Sequence, residues 1–277
     1  MYLTDYHHHT DNSFDSQASM KSVCEAAIKK GITEICFTEH FSVNPMAVTY
    51  GHMDFTRYFS QIEECQHVFE DRLKIKAGLE LCEPHLLQEK YKEQLEGLSL
   101  DFILGSVHNI ENQDIRSLMI NKEPVPLYQR YFEEVYQLAS YANIDVIAHF
   151  DLMKRYAVDL DYLGKYDFNL FKEILIEILR KAINRNIGIE INTSGLSKKA
   201  LNETLPSMKV LKLYKELGGE ILTIGSDSHK AATVGSHLEI ALDMAKEAGF
   251  QYIYTFNRRV PKPIKIDLFP SSTKHSK

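Results

Sequence analysis

The chain has 277 residues, enough for one large domain or two small ones, and its 44% hydrophobic and 25% charged residues are ordinary for a folded protein. A net charge of −6 argues against a general nucleic-acid binder, which usually carries a basic excess. No apolar run approaches the roughly 18–20 residues that cross a bilayer, and no leader precedes the first predicted strand. We therefore expect a soluble, cytoplasmic protein without a membrane partner; the sequence predicts no oligomeric state.

Short apolar strands alternate with amphipathic helices along the chain. Strands are predicted at residues 2–6, 34–38, 73–81, 102–107, 145–148, 188–192, 219–225 and 252–256. Helices are predicted at residues 19–30, 58–72, 84–96, 127–142, 168–186, 207–217 and 240–248, with loops at 41–56 and 109–126. Apolar strands that each lead into a helix indicate a parallel sheet covered by helices. Seven such units favour a closed or nearly closed α/β barrel, and an open doubly wound sheet is the alternative.

Domain boundaries and cysteines carry weaker signals. We expect one domain over residues 1–265 and a flexible tail over 266–277, with the chain already loose from Pro261. No Gly-rich phosphate loop follows any predicted strand, so nucleotide binding of the GxGxxG or GxxxxGK[ST] kind is unsupported. The four cysteines form no CxxC pair, which favours reduced core residues over disulfides or a thiolate metal site: Cys24, Cys36, Cys65 and Cys82.

Histidines and carboxylates lie at the C-terminal ends of the predicted strands. They are His7, His9, His40, Glu80, His108, His149, Asp227 and His229, with Asp15 in the loop after the first strand. Side chains alternate along a strand, so His7 and His9 should point to one side and His8 to the other. The C-terminal ends of parallel barrel strands converge on one mouth, and six of the 12 histidines fall at these ends. The nine side chains are therefore expected to meet at one site.

The residue types indicate a metal centre. Imidazole and carboxylate ligands together suit Zn²⁺, Mn²⁺ or Fe²⁺. One such ion takes about four to six ligands, so nine side chains suffice for two or three ions that share a bridging carboxylate. Clustered divalent ions polarise a phosphoryl group and lower the pKa of a bridging water, whose hydroxide can attack phosphorus. The remaining histidines are assigned structural or surface roles: His8, His52, His67, His85, His237 and His275.

Six motifs in chain order resemble the polymerase and histidinol phosphatase (PHP) superfamily. They are Asp5-x-His7-x-His9-Thr10, Thr38-Glu39-His40, Gly78-x-Glu80, Gly105-Ser-Val-His108, the strand end at His149 and Gly225-Ser-Asp227-Ser-His229. Within the superfamily the chain is most similar to the histidinol-phosphate phosphatases, through stretches such as Gly78-Leu-Glu-Leu-Cys-Glu-Pro84 and Glu190-Ile-Asn-Thr-Ser-Gly195. The resemblance runs from residue 5 to about 235 and implies a distorted (β/α)7 TIM-like barrel in a single metal-dependent hydrolase domain.

The resemblance also implies a trinuclear metal centre and a reaction. One ion would be held by His7, His9, Glu80 and Asp227, a second by Glu80, His108 and His149, and a third by Asp15, His40 and His229. Some relatives have His where this chain has Asp15. The implied reaction is hydrolysis of L-histidinol phosphate to L-histidinol and phosphate, in histidine biosynthesis, by a metal-bridging hydroxide. Asp227 and His229, as ligands of the reacting centre, would carry catalytic roles.

Substrate contacts are predicted from residues that follow the strand ends. Arg155, six residues past His149, is the candidate catalytic phosphate clamp, because a guanidinium can bind two oxygens at once; a solvated loop arginine is the alternative. Ser197 and Lys198 are further candidates for the phosphate. Candidates to orient the imidazole or amine are Glu39, Glu83 and Asn109.

Two other kinds of function remain open from the sequence. One is another hydrolase on the same scaffold, acting on a nucleotide or nucleic-acid phosphodiester or on phosphotyrosine. The other is a non-catalytic metal-binding domain. The acidic charge balance disfavours a polynucleotide substrate.

Overall fold

A computed structural model describes residues 2–120, 123–158 and 166–266. Seven parallel strands form one sheet in the order β1-β2-β3-β4-β7-β8-β9, and two antiparallel hairpins, β5–β6 and β10–β11, stand outside it. The strands are β1 Thr4–Asp5, β2 Glu34–Phe41, β3 Lys74–Cys82, β4 Phe102–Ser106, β5 Asn109–Ile110, β6 Gln113–Asp114, β7 Val146–Ile147, β8 Gly188–Asn192, β9 Leu222–Gly225, β10 Tyr252–Asn257 and β11 Val260–Lys265.

Backbone hydrogen bonds join the first and last strands of this sheet. The Tyr6 N–H donates to the Ile224 carbonyl at 2.9 Å, and the His9 N–H donates to the Ser228 carbonyl at 3.0 Å. These bonds bring the two edges together, just beyond the end of β1 and at and beyond the end of β9. The predicted distorted (β/α)7 barrel in a single domain is therefore confirmed, and the open doubly wound sheet is wrong.

Helices cover the outside of the barrel. They are α1 Met20–Lys29, α2 Phe55–Phe69, α3 Gln88–Leu95, α4 Ile115–Met119, α5 Pro124–Tyr141, α6 Met153–Ala157, α7 Lys172–Asn184, α8 Met208–Glu216 and α9 Leu238–Glu247, with 3₁₀ turns at Ser194–Ser197 and Ala231–Thr233. Their starts follow local sequence: the side chains of Ser19 and Asp54 accept from the N–H of Ser22 and Arg57 at the first turns of α1 and α2. Among the described helices, none is both long and apolar enough to cross a membrane.

Several predicted boundaries differ from the structure by a few residues, and three differences change the description of the chain. The helix predicted at 84–96 begins only at Gln88, since Glu83 has a φ of 46° and a turn separates it from α3. The region predicted as a loop at 109–126 contains the β5–β6 hairpin, α4 and the start of α5. Residues from Pro261 are not loose, because 261–265 pair with β10 as part of β11. Of the tail predicted at 266–277, Ile266 is buried and its N–H donates to the Gln251 carbonyl at 2.9 Å, while 267–277 lie outside the described residues.

Aromatic side chains fill the half of the barrel nearest the N-terminal ends of the strands. The Phe102 ring lies 5.1 Å from the Tyr6 ring and 4.8 Å from the Phe256 ring, centroid to centroid. Phe256 is contributed by the β10–β11 hairpin, which therefore closes the N-terminal end of the barrel. The opposite end, where the strands finish, carries the polar side chains.

Candidate metal centre and substrate cavity

The structure brings the nine sequence-predicted side chains together at the C-terminal end of the barrel. His7 and His9 face the same cluster, with ring centroids 5.1 Å apart. His8 points away and packs edge-on against Phe37, buried on the other side of the sheet. The predicted alternation is therefore observed. Of the other histidines, His85 is buried and pairs with Glu134 at 2.8 Å, while residues 52, 67 and 237 are exposed and residue 275 lies outside the described residues.

Glu80 lies at the centre of the cluster and is fully buried. One carboxylate oxygen, Oε1, lies 2.7 Å from His149 Nε2 and 3.5 Å from His108 Nε2. The other, Oε2, lies 3.3 Å from His7 Nε2 and 3.5 Å from His9 Nε2. Burial raises the pKa of Glu80, but the surrounding imidazoles lower it further and hold it well below its ordinary value. A charged carboxylate therefore faces imidazoles on both sides, the geometry that a bridging ligand needs.

Asp227 approaches the same histidines from the end of β9. Its Oδ1 lies 3.6 Å from His7 Nε2 and 3.5 Å from His9 Nε2. Its backbone has a φ of 52°, a left-handed conformation that Asp tolerates better than most residues. The Asp227 N–H donates to the His7 carbonyl at 2.8 Å, which fixes this turn against β1. Burial raises the pKa of Asp227, while Arg155 and His7 lower it well below its usual range.

A third group lies nearer the solvent. Asp15 Oδ2 is 3.5 Å from His40 Nε2 and 3.1 Å from His229 Nε2. The His9 ring stacks between those of His40 and His229, with centroid distances of 4.2 and 4.3 Å. Asp15, from the loop after β1, therefore reaches the same mouth as the strand-end residues.

Several imidazole nitrogens and a carboxylate oxygen in this cluster are buried without a hydrogen bond to any described residue. They include His7 Nε2 and His9 Nε2, and also His40 Nδ1 and Glu80 Oε2, which lie 2.9 Å apart without the geometry of a hydrogen bond. Burying polar atoms unpaired costs on the order of 1–3 kcal/mol each, so a cluster of them indicates a missing partner. Within the described part of the chain, four groups have ligand atoms within 4.8 Å of one another: His7-Glu80-His149, His7-His9-Asp227, His9-His40-His229 and His40-Cys82-His108. Nitrogen and carboxylate donors at this spacing fit divalent metal ions.

The second ring nitrogens of the first two histidines are held by residues that the sequence analysis did not assign. His7 Nδ1 lies 2.7 Å from Glu190 Oε1, and His9 Nδ1 lies 3.1 Å from Ser13 Oγ. Protonated Nδ1 atoms donate to these oxygens and leave Nε2 unprotonated, as a metal ligand requires. Gly225 makes the first contact possible, because a Cβ there would lie 2.4 Å from the His7 Cβ and 2.5 Å from Glu190 Oε1.

Two of the three residues predicted to orient the substrate's imidazole or amine have other contacts. Glu39 accepts from Thr10 and Ser13 and holds the loop after β1. Glu83 accepts from the N–H of His108 and holds the following turn. Both carboxylates are buried away from the cavity, whereas Asn109 lines it.

A cavity of about 540 Å³ opens directly above the cluster. Arg155 lies in its wall: its Nη1 contacts Asp227 Oδ2 and donates to Ser194 Oγ at 2.7 Å. Ser197 and Lys198, predicted from the sequence, also line it. Arg116 was missed; it comes from the short helix α4, and its guanidinium lies 4.3 Å above the Tyr156 ring. Cationic side chains therefore face a space of the size that small ligands occupy.

Lys154, the neighbour of Arg155, points the other way. It is 1% exposed, and its Nζ lies 2.9 Å from Asp151 Oδ2 and 3.0 Å from Glu203 Oε2. It also donates to the Thr204 carbonyl at 3.1 Å. Paired in this way, Lys154 anchors α6, and Arg155 is the residue of the two that faces the cavity.

Comparison with known proteins identifies the family. The PHP domain matches residues 5–194, and the chain belongs to the PHP domain family. A probable histidinol-phosphatase of Clostridium acetobutylicum is 31% identical over 93% of this chain and 98% of that protein. The histidinol-phosphatase of Lactococcus lactis is 29% identical over 93% of this chain and 95% of that protein. The crystal structure of a Lactococcus lactis histidinol phosphate phosphatase, complexed with zinc, L-histidinol and phosphate, has a TM-score of 0.82 and 28% identity, covering 94% of this chain and 98% of that one.

Proposed function

We propose that this protein is a metal-dependent phosphomonoesterase that hydrolyses L-histidinol phosphate to L-histidinol and phosphate in histidine biosynthesis. The observation that carries the proposal is the cluster of unpartnered imidazole and carboxylate donors beneath a cavity with a cationic wall. Relatives that match nearly the whole chain bear the histidinol-phosphatase name, and the Lactococcus lactis structure holds zinc, L-histidinol and phosphate.

The residues present fit two to three divalent ions, Zn²⁺, Mn²⁺ or Fe²⁺. The proposed ligand sets are His7, His9, Glu80 and Asp227 for one ion; Glu80, His108 and His149 for the second; and Asp15, His40 and His229 for the third. When bound, such ions supply charge for the phosphoryl oxygens and lower the pKa of a coordinated water. Glu80, whose two oxygens face different histidine groups, is the proposed bridge.

Arg155 is proposed to bind the phosphate. Its guanidinium is fixed by Asp227 on one side and by Ser194 on the other, which holds its remaining N–H groups in one orientation. An arginine so placed binds an anionic phosphate in both the substrate and the transition state. Ser197 and Lys198, together with Arg116, add donors and positive charge to the same wall.

The rest of the cavity complements the histidinol part of the substrate. Asp114 lines the cavity outside the metal groups and supplies a carboxylate for the ammonium. Its Oδ1 already accepts from the Ser117 N–H at 2.9 Å as the N-cap of α4. Phe14 and Val48 also line the cavity and are exposed, so they offer an apolar surface for the imidazole ring. We also infer a cytoplasmic location, which four free cysteines and a biosynthetic substrate support, and no nucleic-acid partner, given the net charge of −6.

The test is phosphate release from a substrate panel by the metal-loaded enzyme and two variants, Asp227→Asn and His9→Ala. We expect L-histidinol phosphate to be preferred over p-nitrophenyl phosphate, a phosphodiester and a phosphotyrosine peptide. Each variant should lose roughly a thousandfold in kcat/KM, because several kcal/mol of charge stabilisation depends on the ions.

The exposed residue His67 on α2 supplies the matched control, His67→Ala, which should retain wild-type rates. Metal-dependent phosphate release that survives both Asp227→Asn and His9→Ala would refute the assigned centre. A preference for the phosphodiester or the phosphotyrosine peptide would move the protein to another substrate class on the same scaffold.

A further inference from the structure

Cys82 differs from the other three cysteines in its surroundings. It is the last residue of β3, two positions after Glu80, so the alternation of the strand places both side chains on the same side. Cys82 lines the cavity, whereas the remaining cysteines, at 24, 36 and 65, are buried in apolar clusters. The sequence favoured a core role for all four, and the structure separates one of them from the rest.

The thiol lies beside two histidines of the metal centre. One ring nitrogen each of His40 and His108 and the sulfur of Cys82 all lie within 4.8 Å of one another. His40 is 7% exposed, and its Nδ1 lies 2.9 Å from Glu80 Oε2 without the geometry of a hydrogen bond. His108 Nδ1 lies 3.3 Å from Ser106 Oγ, which leaves its Nε2 directed to the centre. Two imidazoles and a thiol at this spacing are a typical ligand set for a soft or borderline cation.

The backbone holds the thiol in this position. The Tyr91 hydroxyl donates to the Cys82 carbonyl at 2.5 Å, and the Ser106 hydroxyl donates to the Leu81 carbonyl at 3.0 Å. Glu83, with a φ of 46°, turns the chain away directly after the thiol. Cys82 therefore stands at a fixed strand end and not on a loop that could carry the sulfur elsewhere.

We propose that His40, Cys82 and His108 form an alternative three-ligand site for a thiophilic divalent cation such as Cd²⁺ or excess Zn²⁺. Binding forms a metal–sulfur bond, and the thiol proton passes to solvent, with no change of oxidation state. The site takes His40 from Asp15 and His229, and His108 from Glu80, so it competes with the ligand sets of the proposed function. A cation bound there inhibits the enzyme; this consequence rests on the proposed function, whereas the ligation does not.

The experiment is a Cd²⁺ titration of the purified full-length protein, followed through the ultraviolet thiolate-to-metal charge-transfer band. We expect a saturable band in the unmutated protein and in Cys24→Ser, whose thiol is buried in α1 away from the cavity. The band should be absent from Cys82→Ser. No band in the unmutated protein, or a band that persists in Cys82→Ser, would overturn the proposal.

X-ray absorption of the Cd²⁺-loaded unmutated protein tests the same bond without any substitution. A sulfur scatterer on cadmium is expected, and a shell of nitrogen and oxygen alone contradicts the site even if Cys82→Ser fails to fold. In phosphatase assays, the Cd²⁺ concentration for half-inhibition should rise about tenfold or more in Cys82→Ser. A protein that shows the band but releases no phosphate from L-histidinol phosphate would defeat the proposed function and leave the thiolate site standing.

Discussion

Both ends of the barrel bury charged side chains, but the polar atoms of the described residues are paired more completely at the N-terminal end, the base, than at the C-terminal end, the mouth. There, Glu34 accepts from the Tyr2 hydroxyl at 2.6 Å and also from Tyr6. Asp145 accepts from the Ile103 N–H at 2.8 Å and pairs with the guanidinium of Arg259. At the C-terminal end, imidazole nitrogens and a carboxylate oxygen are buried without partners among the described residues.

This difference in pairing indicates that the N-terminal end of the barrel has a structural role and the C-terminal end a functional one. Paired charges at the base hold the β10–β11 hairpin over the starts of the strands. Buried ligand atoms without partners at the mouth reduce the stability of the metal-free protein. Their burial becomes favourable only when they bind a cation. Removing a charged residue at the base should therefore lower stability and spare chemistry, while Asp227→Asn should remove chemistry.

The largest stability effect is expected from Arg259→Ala. The change leaves the Asp145 carboxylate buried without its cationic partner, which should lower the free energy of unfolding by about 3 kcal/mol. Burial already raises the pKa of Asp145 despite the lowering effect of Arg259, and losing Arg259 raises it further. A group with a raised folded-state pKa binds its proton more tightly when folded, so the deficit should be full at neutral pH and shrink as the pH falls toward 4.

Denaturant unfolding at several pH values measures this deficit, with Arg258→Ala as the control. Arg258 is exposed, shares the turn and also has a positive φ, of 48°, so both variants carry the same backbone cost. A pH-independent deficit, or equal deficits in the two variants, would show that the Asp145 pair does not hold the hairpin. kcat/KM of the folded Arg259→Ala enzyme should stay at the wild-type value.

Metal removal should give the next largest effect, this time at the mouth. Ions present at about 100 times their dissociation constant stabilise the folded state by about 2.7 kcal/mol. A chelator should therefore lower the melting temperature of the wild type by roughly 5–10 °C in calorimetry. Asp227→Asn should show a clearly smaller drop, and Arg259→Ala the full one. Equal drops in all three proteins would place the stabilising ions elsewhere.

The sequence predicted the mouth better than the base for a physical reason. Residues at strand ends converge in a parallel barrel, so a histidine or carboxylate at each end predicts one cluster without knowledge of the contacts. The role of Glu190 was not predicted because it lies inside an apolar strand, and its partner His7 is 183 residues away in the sequence. Arg116 was not predicted because it lies on a five-residue helix that follows a hairpin of two-residue strands, in a stretch whose sequence is typical of a loop.

The hairpin that closes the base was not predicted, because it lacks the residues that usually indicate a turn. The turn consists of Arg258 and Arg259, both at positive φ, where Asn and Gly are typical. Pro261 and Pro263 argue against a strand, yet β11 pairs only with β10, and an edge strand tolerates proline. Which charge pairs with which across this end depends on tertiary packing, since Asp145 and Arg259 are more than a hundred residues apart.

The smallest predicted effect is on kcat/KM and concerns Ser194, which lies in the cavity at the mouth of the barrel and contacts the proposed phosphate-binding residue Arg155. Its hydroxyl donates to Asn192 Oδ1 at 2.6 Å and accepts from Arg155 Nη1 at 2.7 Å. Ser194→Ala should cost about 1 kcal/mol of transition-state binding, or roughly a fivefold loss of kcat/KM for L-histidinol phosphate. Because Ser194 acts through Arg155, the loss should vanish when Ser194→Ala is added to Arg155→Ala. Additive losses in this double-mutant cycle would mean that Ser194 contacts the substrate independently of Arg155.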